Sequence, residues 1–255
     1  MTVDAILTAL ALPDAARVDQ RVPKKLLTEQ GAPTAADKKA IQDGIEELQW
    51  VSVLKPTTVG VPIYKDQERE YLEIAVIVAT FRPAAKTQRL TELIHRAIPY
   101  PIILITRSNE AVELSLAHKR ASQSEKAAVV IDGPVSRATL ATEAQDLNQA
   151  FLATLRLANQ PQQHLRALYQ GWADCCAALS ASRLTGQFSV PNSPQDAASR
   201  RASLDDHARL TREIAGFRAK AAKETQINRR VELNLAIQRL EGELAMTVTK
   251  LRGQG

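Results

Sequence analysis

Apolar residues recur along this chain with changing periods, and the changes mark its elements. Val3 to Leu12 reads as a short helix stopped by Pro13, and a loop follows through Val22-Pro23-Lys24-Lys25. Thr34 with Asp37 forms a capping box that opens a helix with the stripe Ile41, Ile45 and Leu48. From Trp50 the period shortens: Trp50 to Val59 predicts a strand, and the β-branched run Tyr71 to Phe81 predicts another. A helix follows Pro83, with Leu90, Leu93, Ile94 and Ala97 inward, and Pro99-Tyr100-Pro101 ends it. Ile102 to Thr106, a turn at Ser108-Asn109, the alternating Ala111 to Ala117 and the apolar Ala127 to Ile131 predict three further strands. The expected first half is a mixed, mostly antiparallel sheet with helices on one face.

After Thr139 the period is helical. Leu140, Ala144, Leu147, Phe151, Leu155 and Ala158 form one stripe; beyond Pro161, Leu165, Leu168, Trp172, Cys176 and Leu179 form a second, and the two predict a helical hairpin. Thr185 to Gln195 reads as a linker. From Arg200 to Leu251 Ala, Leu, Arg, Lys and Glu dominate without a Pro, which predicts one long helix of roughly 70 to 90 Å at ~1.5 Å per residue. Ser193-Pro194 with Asp196, or Ser203 with Asp206, would cap its start. The fold class is therefore α+β: a sheet domain over 1–138, a helical hairpin over 139–184, a linker over 185–198 and a long basic amphipathic helix over 199–255.

That helix carries two apolar faces. Leu210, Ile214, Phe217 and Ala221, rejoined by Val231 and Leu235, share one side; Leu233, Ile237, Leu240, Leu244 and Val248 lie roughly 150° away. The second face is the expected interface, coiled-coil in kind, and a kink near Gln226 to Asn228 would realign the two. Arg209, Arg212, Lys220, Lys223 and Arg230 fall within an arc of about 80° and form a basic ridge.

Charge sharpens this picture. The net charge is +5, and residues 1–199 are balanced, so the excess lies in 200–255, where 12 Lys and Arg face 7 Asp and Glu. Clustered cations suit a polyanion, and a solvated face with Arg209–Glu213, Lys220–Glu224 and Arg239–Glu243 pairs is the bland alternative. Aromatics make up 4 % of the chain, so aliphatic packing must build the core. The adjacent Cys175 and Cys176 read as buried small residues. No apolar run approaches a membrane span and the start lacks a basic signal region, so a cytoplasmic protein without membrane contact is expected.

The chain holds few candidates for reaction chemistry. Phosphate-loop, dinucleotide, zinc-protease and nucleophile-elbow motifs are missing, and His95, His118, His164 and His207 lack paired metal spacing. Neither a cofactor nor a metal is expected, and no catalytic residue is assigned. Glu70, Glu73, Glu113 and Lys119 come nearest to a magnesium nuclease, provided that one unbroken strand carries Glu113 and Lys119. His95-Arg96 and His118-Lys119-Arg120 would form a compact anion site if their segment ends converge.

Four blocks carry a resemblance: Val22-Pro23-Lys24-Lys25, Ile94-His95-Arg96-Ala97-Ile98-Pro99-Tyr100-Pro101, Leu114-Ser115-Leu116-Ala117-His118-Lys119-Arg120 and Gln226-Ile227-Asn228-Arg229-Arg230-Val231-Glu232-Leu233-Asn234. In that order they resemble a bacterial family catalogued as domain of unknown function 4391. Such genes lie near helicases and DNA methyltransferases, so the resemblance implies an accessory role in DNA modification, restriction or phage defence. The leading expectation is a non-catalytic subunit docking on a helicase or methyltransferase, or on itself through the C-terminal helix, with DNA-backbone contact. A stand-alone, sequence-tolerant nucleic-acid-binding protein is the alternative, and a metal-dependent nuclease the third.

Overall fold

In the computed structural model the described residues are 2–109, 111–123, 128–140 and 143–253. The chain divides into two units, Met1–Cys176 and Ala177–Gly255.

The first unit is built on a six-stranded sheet. Its strands, in spatial order, are β1 (Arg17–Arg21), β2 (Ile45–Leu54), β5 (Ile74–Phe81), β6 (Ile102–Arg107), β7 (Val112–Leu116) and β10 (Ser136–Leu140). Only β5 and β6 run parallel, joined by the crossover helix α5 (Thr87–Ala97). The β5 run IAVIVATF is almost wholly buried because this central strand is covered on both faces. On one face Leu48, Ile77, Ala79 and Leu104 pack with α5, α2 (Lys24–Gln30) and α3 (Ala35–Gly44). On the other, α1 (Val3–Leu10) meets β6 and α6 (Gln145–Thr154). Helices therefore cover both faces rather than one, since Val76, Ile103 and Ile105 would otherwise stay exposed.

Local signals set several boundaries. Thr34 accepts from the Asp37 amide at 3.1 Å and starts α3 as expected. The helix stops at Gly44, so Ile45 and Leu48 belong to β2, whose bulges disguise its alternation. Leu140 closes β10 instead of opening a helical stripe. The expected strand Ala127 to Ile131 appears as β9 (Val129–Ile131), paired with β8 (Lys119–Ala121); Ala127 lies outside the described residues. A short α4 (Pro56–Val59) and the hairpin of β3 (Tyr64–Lys65) and β4 (Glu70–Tyr71) precede β5. Edge strand β1 carries a register shift between Arg17 and Gln20, with Asp19 at φ 50° and salt-bridged to Arg17 at 2.9 Å. Helix α7 (Leu165–Thr185) buries Cys175 and Cys176 as expected.

The C-terminal region is helical, with long helices. The expected single rod is two of them, α8 (Pro194–Lys223) and α9 (Ile227–Arg252), with Ser193 capping α8 through the Asp196 amide at 3.1 Å. The chain leaves helical geometry at Glu224-Thr225-Gln226 and α9 folds back on α8. Leu210 and Ile214 bury against Ile237 and Leu240, with Phe217, Ala221 and Leu244 packed around them. A straight rod would expose both stripes; folding back buries one against the other, at roughly 1.5–3 kcal/mol for each fully buried aliphatic side chain. Arg218 spans the pair to Glu241 at 2.6 Å. Among the described residues no helix is long and apolar enough to cross a membrane.

Candidate nucleic-acid interface

The turn between α8 and α9 gathers cations from two stretches of sequence. Lys220 and Lys223 occupy the last turn of α8, where a helix's negative end favours them. Arg229 and Arg230 occupy the first turn of α9, which carries no acidic residue. That position is electrostatically adverse, because the amides of a helix start already present positive charge. All four are exposed, and none makes an ion pair among the described residues.

A groove of about 610 Å³ opens here, lined by Phe217, Lys220, Lys223, Glu224, Arg229, Glu232, Leu233 and Ala236. The Lys220 ammonium stands 5.4 Å from the Phe217 ring centre. The Glu224 carboxylate accepts from the Gln226 amide at 2.9 Å and so closes the turn. The Phe217 ring also packs on the α8–α9 core, so what the groove offers is a cationic rim of the kind that suits phosphates.

The rest of the basic ridge is less available. Arg209 is held by Glu213 at 3.0 Å and Asp206 at 3.2 Å, and these bonds raise its pKa further. Arg212 donates Nε to the Ala208 carbonyl at 3.3 Å. Of the expected interface residues, Ile237 and Leu240 are buried against α8, Leu244 packs beside them, and Leu233 lines the groove. Val248 is half-buried.

The second basic cluster converges in part. Lys119 donates its ammonium to the His95 carbonyl, and both are buried. The His95 ring meets Ser115 Oγ at 3.0 Å, and burial first, then Lys119 and Arg137, hold its pKa well below the ordinary value. His118 turns to the hydroxyl of Tyr71, whose ring packs against Tyr169. Arg96 pairs with Glu92 at 3.0 Å and Arg120 with Asp132 at 3.7 Å. The five residues thus contribute a buried pair, a buried-edge imidazole and two surface ion pairs.

The nuclease arrangement needed one strand to carry Glu113 and Lys119, but β7 ends at Leu116 and Lys119 begins β8. Glu113 is engaged by Arg137 and by Thr139 Oγ1, each at 3.0 Å. Glu70 bonds Lys65, and Glu73 bonds Lys55 at 3.0 Å. Among the described residues no group of three or more His, Cys, Asp and Glu could hold a metal ion. Sequence reasoning missed Arg229 and Phe217 as groove residues, because the fold-back alone unites them.

A family model described as a domain of unknown function, DUF4391, matches residues 10–244. No curated protein and no solved structure matches.

Proposed function

Because the chain belongs to the DUF4391 family, we propose that it is a non-catalytic accessory subunit of a bacterial DNA-modification, restriction or phage-defence assembly, contacting nucleic-acid backbone through the tip of its C-terminal hairpin. The carrying observation is the convergence of Lys220, Lys223 and Arg229 on one groove, with Arg230 in the same first turn of α9, the two arginines set against a helix dipole. An anion there would relieve that local repulsion and accept from the free amides of α9. The assembly, with its helicase or methyltransferase partner, is the part of the reading that rests on the family resemblance.

Titration of labelled single- and double-stranded DNA at several salt concentrations tests the contact. Four neutralised phosphates predict a log–log salt slope of about −3 to −4, and Lys220→Glu with Lys223→Glu should reduce it by about 2. Binding unchanged by the double variant would overturn the groove assignment. The assembly role is tested by affinity capture from the native host after nuclease treatment. A helicase or methyltransferase retained on the column supports a subunit, whereas partners lost with the nucleic acid favour a protein working alone on nucleic acid.

A further inference from the structure

Helix α9 has a second face that α8 leaves uncovered. Ile227, Val231 and Leu235 follow at spacings of four and expose 68, 51 and 60 % of their surface; Met246, further along the same side, exposes 74 %. At about 100° per residue these four share an arc of about 100° opposite the face buried on α8, together with exposed Gly242 and Ala245 and the polar Asn228, Gln238 and Thr249. Isolated exposed apolar residues are ordinary, but Ile227, Val231 and Leu235 stand on successive turns and form one exposed apolar patch, with Met246 beyond Gln238.

The flanks of the stripe identify its occupant. One carries Glu232 and Arg239, the other Arg230 and Glu241. Each pair is centred on the midpoint between Leu235 and Ala236. A two-fold axis there runs two copies of α9 antiparallel and sets like flanks together. Glu232 then meets Arg239 of a second copy on both sides of the axis, and Arg230 comes level with Glu241 of a second copy, whose carboxylate also pairs with Arg218 of its own chain. Ile227 falls over the second copy's α9 near Met246, and Leu235 packs across the axis on itself. A parallel pairing would also match flank charges, but it would crowd two cationic hairpin tips together and align the helix dipoles. The antiparallel pairing separates the tips and brings Arg229 and Arg230 level with Glu241 and Glu243 of the other copy.

We propose that the exposed stripe of α9 is a self-association surface, on which a second copy of this chain pairs antiparallel about the Leu235–Ala236 midpoint. The pairing is measured without nucleic acid, because Arg230 also belongs to the proposed nucleic-acid contact.

Light scattering of the full chain should give twice the 27.9 kDa chain mass. Leu235→Asp should return it to one chain mass while the far-ultraviolet circular dichroism stays that of the native chain, because that side chain is exposed in the single chain. Glu232→Arg should weaken dimerisation roughly tenfold, by turning two attractive pairs repulsive, and adding Arg239→Glu should restore it. Under mild oxidation Leu235→Cys should yield a disulfide-linked dimer and Ile227→Cys should not, since antiparallel pairing parts the two copies of residue 227 by roughly 25 Å. A wild-type monomer at 100 μM, a dimer indifferent to Leu235→Asp, or cross-linking at Ile227→Cys instead of Leu235→Cys would each overturn the proposal.

Discussion

The Lys119 ammonium donates to the main-chain carbonyl of His95 from within the core, closing the end of α5 onto the start of β8. Burial lowers the Lys119 pKa to about 8, whereas an unfolded lysine titrates near 10.5. The native state therefore binds fewer protons between those values, and stability rises with pH once pH passes about 8. Melting of the wild type should gain on Lys119→Met as pH goes from 7 to 9. Parallel pH profiles would show that the ammonium is not desolvated.

Asp37 gives a slope of the same sign in the acid range, because its folded pKa is likewise lowered. Its carboxylate takes two bonds from Arg89, at 2.9 and 3.0 Å, and one from the Thr34 hydroxyl at 2.8 Å. Arg89 first, then Thr34, hold its pKa below the ordinary carboxylate value. The stabilisation is present above the unfolded pKa and is lost as pH falls through the folded one. Asp37→Asn should lower the melting temperature at pH 7 and make little difference near pH 2. Equal losses at both would assign the effect to the cap alone.

Leu240→Asp places an unpaired carboxylate among Leu210, Ile214 and Ile237. The expected cost is about 3 to 5 kcal/mol. Hydrogen exchange should then accelerate throughout α8 and α9, and retained protection would show that the two helices do not depend on this contact.

Gly31 ends α2 where it crosses α5. A Cβ there would stand 2.5 Å from the Ala97 Cβ and 2.9 Å from the Leu93 carbonyl oxygen. Gly31→Ala should cost about 1 to 3 kcal/mol through forced separation of the helices, read by denaturant melting; an unchanged midpoint would mean the crossing yields freely.

Legibility in the sequence followed the range of the interaction. The caps at Thr34 and Ser193 were readable because donor and acceptor lie three residues apart. Strand β5 was readable because burial on both faces demands an unbroken apolar run. Strand β1, RVDQR, carries no alternation and forms by pairing with β2, so no local signal announces it. Leu140 matched a helical stripe by accident of spacing while pairing across to Val112. The turn at Glu224-Thr225-Gln226 contains neither Gly nor Pro, and its trace in the sequence is the rotation of the apolar stripe on either side. The cations of α8 were visible as a cluster; the groove was not, since Phe217 and Arg229 become neighbours through the fold-back.

Strand β1 leaves one backbone edge of the sheet unpaired, and its composition determines what can approach that edge. Four of its five residues are exposed, and three of the five are charged. The register shift and the left-handed Asp19 twist the ribbon out of line. A strand arriving from another molecule would have to desolvate Arg17, Asp19 and Arg21 and follow an irregular ladder. The β1 edge is therefore guarded against amyloid-like extension and sheet-to-sheet aggregation.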